Sequence, residues 1–517
     1  MMPASSSPPV VVVGGGFGGL AAAVRLRVMG WPVVLLEAGP QLGGRARVFR
    51  QDGFTFDAGP TVITAPYLID ELFTLAGRDR RDFVEFVPVD PFYRVSFHDG
   101  GTFDYVGDED RILAQIAAIS PRDVDGYRRL AAHCERIFDI GYTQLADQPF
   151  DRLSDMLRVV PDMVRLESFR TVWGLVSRYI SDPRLRQVFS FQPLLVGGNP
   201  VSTSSIYLLI HWLERKWGVW WPKGGTGAVV EALRALLVEM GVEVRLNTPV
   251  AGLEVEGGKV VAVRTGSGER VACAFTVSNA DPSVVYRDWI APEHRPTHTD
   301  RKVASRRASM SLFVGYFGTD RTYEDVAHHT ILLGPRYEGL LEDIFEKKKL
   351  ADDFSLYLHA PTRSDQTMAP GGHEAFYVLS PVPNLEKGKR RGSPAVVDWA
   401  EQRDAYWERI KGELERRAIP GLKAHLVSEK VVDPRYFGDE LRSNHGAAFG
   451  LEPTLTQSAW FRYHNRSEDV GGLYFVGAST HPGAGVPGVL CGAKVLERVV
   501  PRPDTALVLP FPSRVAS

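Results

Sequence analysis

Cysteine is nearly absent from this chain of 517 residues: Cys134, Cys273 and Cys491 stand far apart and form no C-x-x-C pair. That density excludes a disulfide framework, leaves a cysteine zinc site without ligand pairs and suits a reducing compartment. Net charge is almost absent as well, with 60 basic residues against 62 acidic ones and a balance of −2. No basic surplus exists to neutralise phosphates, so nucleic acid is not expected as a partner. No uninterrupted apolar run reaches the ~18 residues that a membrane-spanning helix needs. The opening MMPASSSPP has neither a positive segment nor an apolar one and reads as a loose tail, not a signal peptide. Internal repeats are missing. Nothing in the residue spacing resembles a metal cluster or a Ser-His-Asp triad.

What is present begins at Val10 to Val13, a short β-branched run that suits a buried parallel strand. Gly14, Gly16 and Gly19 follow in G-x-G-x-x-G spacing, for a tight turn, close approach of a pyrophosphate, and packing of helix on strand. A helix from about Gly18 to Met29 would aim its N-terminal amides at the phosphates. Gly30 ends it, and a second strand, Pro32 to Leu36, delivers Glu37. A carboxylate at that distance accepts hydrogen bonds from a ribose hydroxyl and repels a 2′-phosphate, which favours FAD or NAD over NADP. Gly43-Gly44-Arg45 lies just past the acid, where a glycine turn and a guanidinium would clamp the phosphates of a longer dinucleotide. This extension resembles the FAD fingerprint of the amine-oxidase and carotenoid-desaturase flavoproteins, so FAD is the expected cofactor.

Next, Phe54 and Phe56 alternate as a strand and Asp57-Ala58-Gly59-Pro60 makes a turn. Thr61, Val62 and Thr64 then either present backbone and hydroxyl groups to a flavin ring or merely continue the chain. Val84 to Tyr105 alternates like a small sheet, and helical periodicity dominates from Asp110 to Trp217. From Asp151 to Ile180, Leu153, Met156, Leu157, Val160, Met163, Val164, Phe169, Val172, Trp173 and Val176 recur at helical spacing, with Arg152, Arg158, Arg165, Arg170 and Arg178 among them. Such a stretch either faces a membrane or packs on a core. Trp212, Trp217, Trp220 and Trp221 likewise suit an apolar tunnel, a bilayer surface or a core.

A new helix is expected over Ala228 to Met240, closed by Gly241. Strands follow over Glu243–Leu246, Val250–Glu256 and Lys259–Arg264, and Thr276 to Ala280 looks like a return to the nucleotide domain. Residues 286 to about 434 mix strands and helices. The basic clusters Arg301-Lys302, Arg306-Arg307, Lys347 to Lys349 and Lys387 to Arg391 read as solvated faces, with membrane attraction the alternative. The chain closes with a strand at Gly472 to Val476, Gly477, a loop carrying His481, Gly483, Gly485 and Gly488, and a helix from Val489 to Val500. The first amides of that helix would face the flavin carbonyls where negative charge gathers on reduction. His481 is placed to meet ring or substrate, or else to cap and pack.

The fold class that follows is α/β, a Rossmann-type FAD-binding domain built from discontinuous segments with an interleaved α+β domain. The expected boundaries are 10–75, 222–285 and 435–500 for FAD, and 76–221 and 286–434 for substrate and membrane. Tails at 1–9 and 501–517 complete the chain. Cofactor contacts are expected at Gly14, Gly16, Gly19, Glu37, Gly44, Arg45, Gly59, Pro60, Thr61, Gly477, Gly488 and Val489.

GFTFDAGPTVIT, FSFQPLLVGGNP, TSSIYLLIHWLERKWGVWWPKGGTG, DFSLYLHAP and LTQSAWFRYHNRSED with THPGAGVPGV resemble the bacterial-type phytoene desaturases, over about residues 10 to 500. The resemblance implies a peripheral enzyme on the cytoplasmic face of a membrane that introduces successive double bonds into phytoene, towards neurosporene, lycopene or beyond. FAD would be its redox cofactor, hydride would pass to flavin N5, and oxygen or a quinone would reoxidise it. Asp155 and Arg158 match a family segment whose acid and arginine are assigned a part in catalysis; with His481 they are the catalytic candidates. Gln192, Tyr463, Ser479 and Cys491-Gly492 depart from the family pattern, and the first two would tune chain length or step number. A C40 polyene offers no polar handles, so binding must come from apolar burial at roughly 25 cal/mol per Å². An aromatic tunnel opening to a bilayer would supply that burial. A sister carotenoid desaturase or isomerase, and a non-catalytic lipid-binding protein like the Rab escort proteins, are the alternatives.

Overall fold

The computed structural model describes residues 8–388 and 394–503; the rest of the two expected tails, and 389–393 within the Lys387 to Arg391 stretch, lie outside the described residues. A five-stranded sheet runs in the order Leu473–Phe475, Thr276–Ser278, Val10–Val13, Val33–Leu36, Glu243–Arg245, with every neighbouring pair parallel. Successive side chains on a strand point to opposite faces, and here both faces are covered. Val10, Val12, Val33 and Leu35 pack under the helices Phe17–Val28, Thr226–Glu239 and Val486–Val499. Val11, Val13, Val34 and Leu36 pack against the three-stranded antiparallel sheet of Val250–Glu256, Lys259–Thr265 and Arg270–Ala272. That is why these strands are apolar throughout and do not alternate.

The second large sheet has seven strands, ordered Leu426–Val432, Ser311–Thr319, Glu374–Val382, Leu356–His359, His329–Leu332, Tyr93–Ser96, Thr102–Tyr105. Leu312, Val314 and Tyr316 face one way, and Phe313 and Phe317 face the Trp399–Arg417 helix on the other side. Val84 to Tyr105 is therefore not a small sheet of its own. Tyr93–Ser96 pairs in parallel with His329–Leu332, and Phe86–Pro88 pairs with Trp220–Pro222.

Two helical expectations shift. The stretch from Asp151 to Ile180 is broken into Leu153–Arg165 and Val172–Tyr179, with Glu167 between them at φ 52°. The last helix begins at Val486, not Val489, because Pro487 suits a first turn whose amides lack intrahelical partners. Among the basic clusters, Arg307 bonds Glu346 and Glu452, and Lys347 bonds Glu342 and Asp343.

Candidate functional site

Four of the parallel strands each carry one piece of the site just past the C-terminal end, where α/β sheets bind ligands. Val10–Val13 leads into the glycine turn, Val33–Leu36 into Glu37, Thr276–Ser278 into Asn279, and Leu473–Phe475 into Gly477. A continuous cavity of about 630 Å³ is lined by Gly14, Gly16, Glu37, Asn279 and Gly477, and equally by the apolar face of the seven-stranded sheet. Gly19 does not line it. A Cβ at Gly19 would overlap the Gly14 carbonyl oxygen, so this residue serves the close packing of helix on turn. The Glu37 carboxylate accepts from the amides of Gly15 at 2.7 Å and Gly39 at 2.8 Å, which holds it rigidly at the cavity edge.

Gly44 and Arg45 line the cavity beside the glycine turn, to which the Gly43 amide is bonded through Gly15 O at 2.8 Å. Arg45 is half-buried; Nη2 donates to Ser443 Oγ at 2.6 Å, and Nε is enclosed without a partner. Burial lowers its pKa, against a smaller opposing pull from Asp281. Gly59, Pro60 and Thr61 border the same space. A Cβ at Gly59 would collide with the Arg45 carbonyl, so the two turns interlock. Thr61 Oγ1 lies 2.8 Å from Tyr357 OH and 3.0 Å from Tyr377 OH, and Tyr377 OH donates to Gly59 O at 3.3 Å. These tyrosines pin the turn to the second sheet. Gly488 and Val489 sit in the first turn of the last helix, also on the cavity.

These residues fit FAD. A half-buried guanidinium with an enclosed, bare Nε–H suits an anionic diphosphate, the glycine turn opens a helix whose amides lack partners, and a second helix starts on the cavity.

The catalytic candidates separate. His481 lines the cavity, packs against Phe150 with ring centres 5.0 Å apart and planes tilted by 51°, and its Nε2–H donates to Gln148 O at 3.0 Å. Nδ1 is buried without a partner, and burial pushes the imidazole down to about 3, so the ring is neutral. Asp155 and Arg158 do not reach the cavity. Asp155 caps the start of its helix by accepting from the Arg152 amide, and it pairs at 3.0 Å with Arg158, whose side chain is 74% exposed. The residues that line the cavity from this helix are Met156, Val159, Asp162 and Met163.

The tryptophans Trp212, Trp217, Trp220 and Trp221 do not line the cavity either; Trp212 and Trp217 pack with Phe138, Tyr142 and Leu213. The tunnel wall is chiefly aliphatic, with Leu194, Leu195, Ile210, Leu312, Val314 and Leu340 on it. Gln192 lies behind that wall, donating to Tyr105 OH at 3.3 Å, and Tyr463 meets Ser283 at 3.1 Å. Neither lines the tunnel. Cys491 does line it, and burial pushes its thiol up to about 12, which leaves it an unreactive packing group.

Three features escape sequence reasoning. Asn279 packs against Gly14, Gly18 and Gly477 at the strand ends. Glu214 lines the tunnel fully buried; Tyr93 OH donates to its Oε1 at 2.7 Å, Oε2 is bare, and burial pushes the carboxyl up to about 8. His328, His329 and His359 converge in the interior, which corrects the expectation that no cluster of metal-ligand type exists. Strand pairing joins His329 to His359, and residue spacing carries no sign of it.

The profile of the flavin containing amine oxidoreductases matches residues 17–493. The chain is 48% identical over 478 residues to a lycopene-forming phytoene desaturase of Pantoea ananas, covering 92% of this chain and 96% of that protein. It is 40% identical over 495 residues to a neurosporene-forming phytoene desaturase of Rhodobacter capsulatus, covering 94% and 93%. Among solved structures, an oxidoreductase from Methanosarcina mazei superposes with a TM-score of 0.64 at 15% identity, over 95% of this chain and 100% of that one.

Proposed function

The chain belongs to the flavin containing amine oxidoreductases, and from that premise we propose that it is an FAD-dependent phytoene desaturase of carotenoid biosynthesis. The single observation that carries this reading is the continuity of the nucleotide cradle with an aliphatic tunnel in one cavity. Bound FAD supplies the hydride acceptor for oxidation of a CH–CH bond. The chain's own residues bind, orient and exclude water. Leu194, Ile210, Leu312 and Val314 bury the polyene, and Tyr357, Tyr377 and Thr61 hold the turn at the cavity wall. Loss of hydride beside a conjugated triene leaves an allylic cation, whose neighbouring C–H is acidic enough for a weak base. His481 Nδ1 is a lone pair on the cavity wall, and we assign it the acceptor role. Asp155 and Arg158 are assigned to the start of the Leu153–Arg165 helix and to its surface charge, not to chemistry.

The same helix supports membrane docking. Its inner face carries Met156, Val159 and Met163 on the cavity, and its outer face carries Leu153, Leu157, Val160 and Val164, which are 40–63% exposed. With Phe169, these make five of the eleven large hydrophobic side chains exposed among the described residues, so the apolar surface is concentrated and not scattered. Arg158, Arg170 and Arg178 flank it, as suits anionic lipid headgroups. No helix among the described residues is long and apolar enough to cross a membrane. Peripheral attachment with the tunnel behind the docked helix is the arrangement proposed, and a quinone in the bilayer or dissolved oxygen would reoxidise the flavin.

The test is anaerobic. FAD-loaded protein is mixed with phytoene in liposomes, flavin bleaching is followed, and the polyenes are identified. Bleaching with phytofluene, neurosporene or lycopene is expected, and the end product sets the number of steps. An isomerised polyene with the flavin still oxidised would overturn desaturation in favour of isomerisation. Untouched phytoene with oxidised flavin would make a more oxidised carotenoid the substrate.

A further inference from the structure

Behind the cavity wall, three buried histidines meet at one point. His329 opens the His329–Leu332 strand and is paired directly with His359 across an antiparallel ladder. His328 stands just before it. The three rings lie 4.5, 4.8 and 5.2 Å apart by their centres, and one nitrogen of each lies within 4.8 Å of the others. Two of the rings hydrogen-bond a hydroxyl, and the third lies near a carboxylate without bonding it. His328 Nδ1 is 2.8 Å from Ser364 Oγ, His329 Nδ1 is 2.6 Å from Tyr357 OH, and His359 Nε2 is 4.0 Å from Asp57 Oδ2. His328 Nε2, His329 Nε2 and both nitrogens of His359 have no hydrogen-bond partner, nor has Asp57 Oδ2.

Buried polar atoms are ordinarily paired. With Nδ1 of His328 and of His329 donating to hydroxyl oxygens, their Nε2 atoms are lone pairs, and His359 brings a third, since a neutral imidazole keeps one unprotonated nitrogen. One water molecule has two hydrogens and cannot satisfy three converging lone pairs; one cation can. A hydroxyl bonded behind two of the rings is also the outer arrangement that fixes the tautomer of metal-bound histidines, and the Asp57 carboxylate lies within reach of the third. We propose that His328, His329 and His359 bind one divalent transition-metal ion of the zinc class, with Ser364, Tyr357 and Asp57 as the outer partners. Three imidazoles favour zinc and its neighbours over magnesium or calcium, which take oxygen ligands. Zinc–nitrogen bonds of about 2.0–2.1 Å set ligand atoms roughly 3.4 Å apart in a tetrahedron, so the rings close slightly on binding.

None of the three histidines lines the cavity, whereas Tyr357 does. The ion therefore acts structurally. It braces Tyr357, and through Tyr357 the Thr61 hydroxyl and the turn that borders the cofactor cradle.

The test uses the flavin-loaded protein, stripped with a strong chelator and then dialysed against zinc sulfate alone. About one zinc ion per chain and a raised melting temperature are expected, because an ion bound to the folded state stabilises it. Cobalt(II) in its place should give the visible absorption of a nitrogen-ligated tetrahedral ion. His359→Phe should lose the zinc while keeping the flavin spectrum. Should that variant fail to load flavin, His328→Gln is read in its place, and the zinc titration of wild-type melting needs no variant. Wild-type protein that takes up under about a tenth of an ion per chain with unchanged melting overturns the proposal. So does equal zinc content in wild type and His328→Gln, which would place the ion elsewhere.

Discussion

His481 and Glu214 show how burial decides what a titratable side chain can do. Both line the cavity, and burial holds both neutral near pH 7, the imidazole by pushing it down to about 3 and the carboxyl by pushing it up to about 8. His481→Phe keeps an aromatic ring beside Phe150 but removes the bare nitrogen. Flavin content should stay unchanged while phytoene turnover falls on the order of 10²-fold, the loss expected for a general base. Unchanged turnover in stopped assays would leave His481 a packing ring. For Glu214 the sign is fixed by the raised folded value. Its carboxyl stabilises the fold fully below the unfolded value of 4.5, and that share is lost as pH rises through about 8. Glu214→Gln removes the dependence, so its melting temperature should gain on wild type by about 3 °C or more between pH 5 and 9. Parallel curves would refute a buried, proton-bearing Glu214. The glycine turn and Glu37 were readable because chain geometry forces those residue types at short spacing. Glu214 was not, since nothing local distinguishes it from a surface acid on the Leu209–Trp217 helix.

At the scale of elements, periodicity reveals that a helix has an apolar face without saying what covers it. The Leu153–Arg165 helix has two such faces, one on the cavity and one outward. The tryptophan-rich segment looked equally suited to a tunnel, yet Trp212 and Trp217 point away from it into the aromatic cluster of Phe138 and Tyr142. Element ends depend on capping and on single backbone positions. Glu167 at positive φ breaks the long periodic stretch, and no residue type there announces it. Burying Leu157 and Val164 in lipid is worth about 1.5–3 kcal/mol each. Leu157→Ser with Val164→Ser should therefore lower liposome partitioning on the order of 10²-fold. Flavin content should hold, because neither side chain lines the cavity. Co-sedimentation equal to wild type would move the docking surface off this helix.

Over the whole molecule, the parallel sheet takes strands from both ends and the middle of the chain, Val10–Val13 beside Thr276–Ser278 and Leu473–Phe475. Its nucleotide half was legible because one contiguous strand-turn-helix-strand unit carries most of the signal. The seven-stranded sheet was not, because its register joins segments as distant as Tyr93–Ser96 and His329–Leu332, and only tertiary closure sets such pairing. The same discontinuity makes the cofactor a fastener. The cradle gathers Gly14, Glu37, Arg45, Thr61, Asn279, Gly477 and Val489 around one cavity, so a ligand there adds contacts between distant segments to those the sheet already makes. A ligand that binds only the folded state at a thousandfold excess over its Kd adds about 4.1 kcal/mol. Flavin-stripped protein should therefore melt several degrees below the FAD-loaded form. Because Arg45 and the start of the Val486–Val499 helix both border the cradle, proteolysis should first cut the stripped protein near residues 43–47 and 477–489. FAD should suppress both cuts together. Protection of one segment without the other would mean that the two halves of the cradle are not closed by the same molecule.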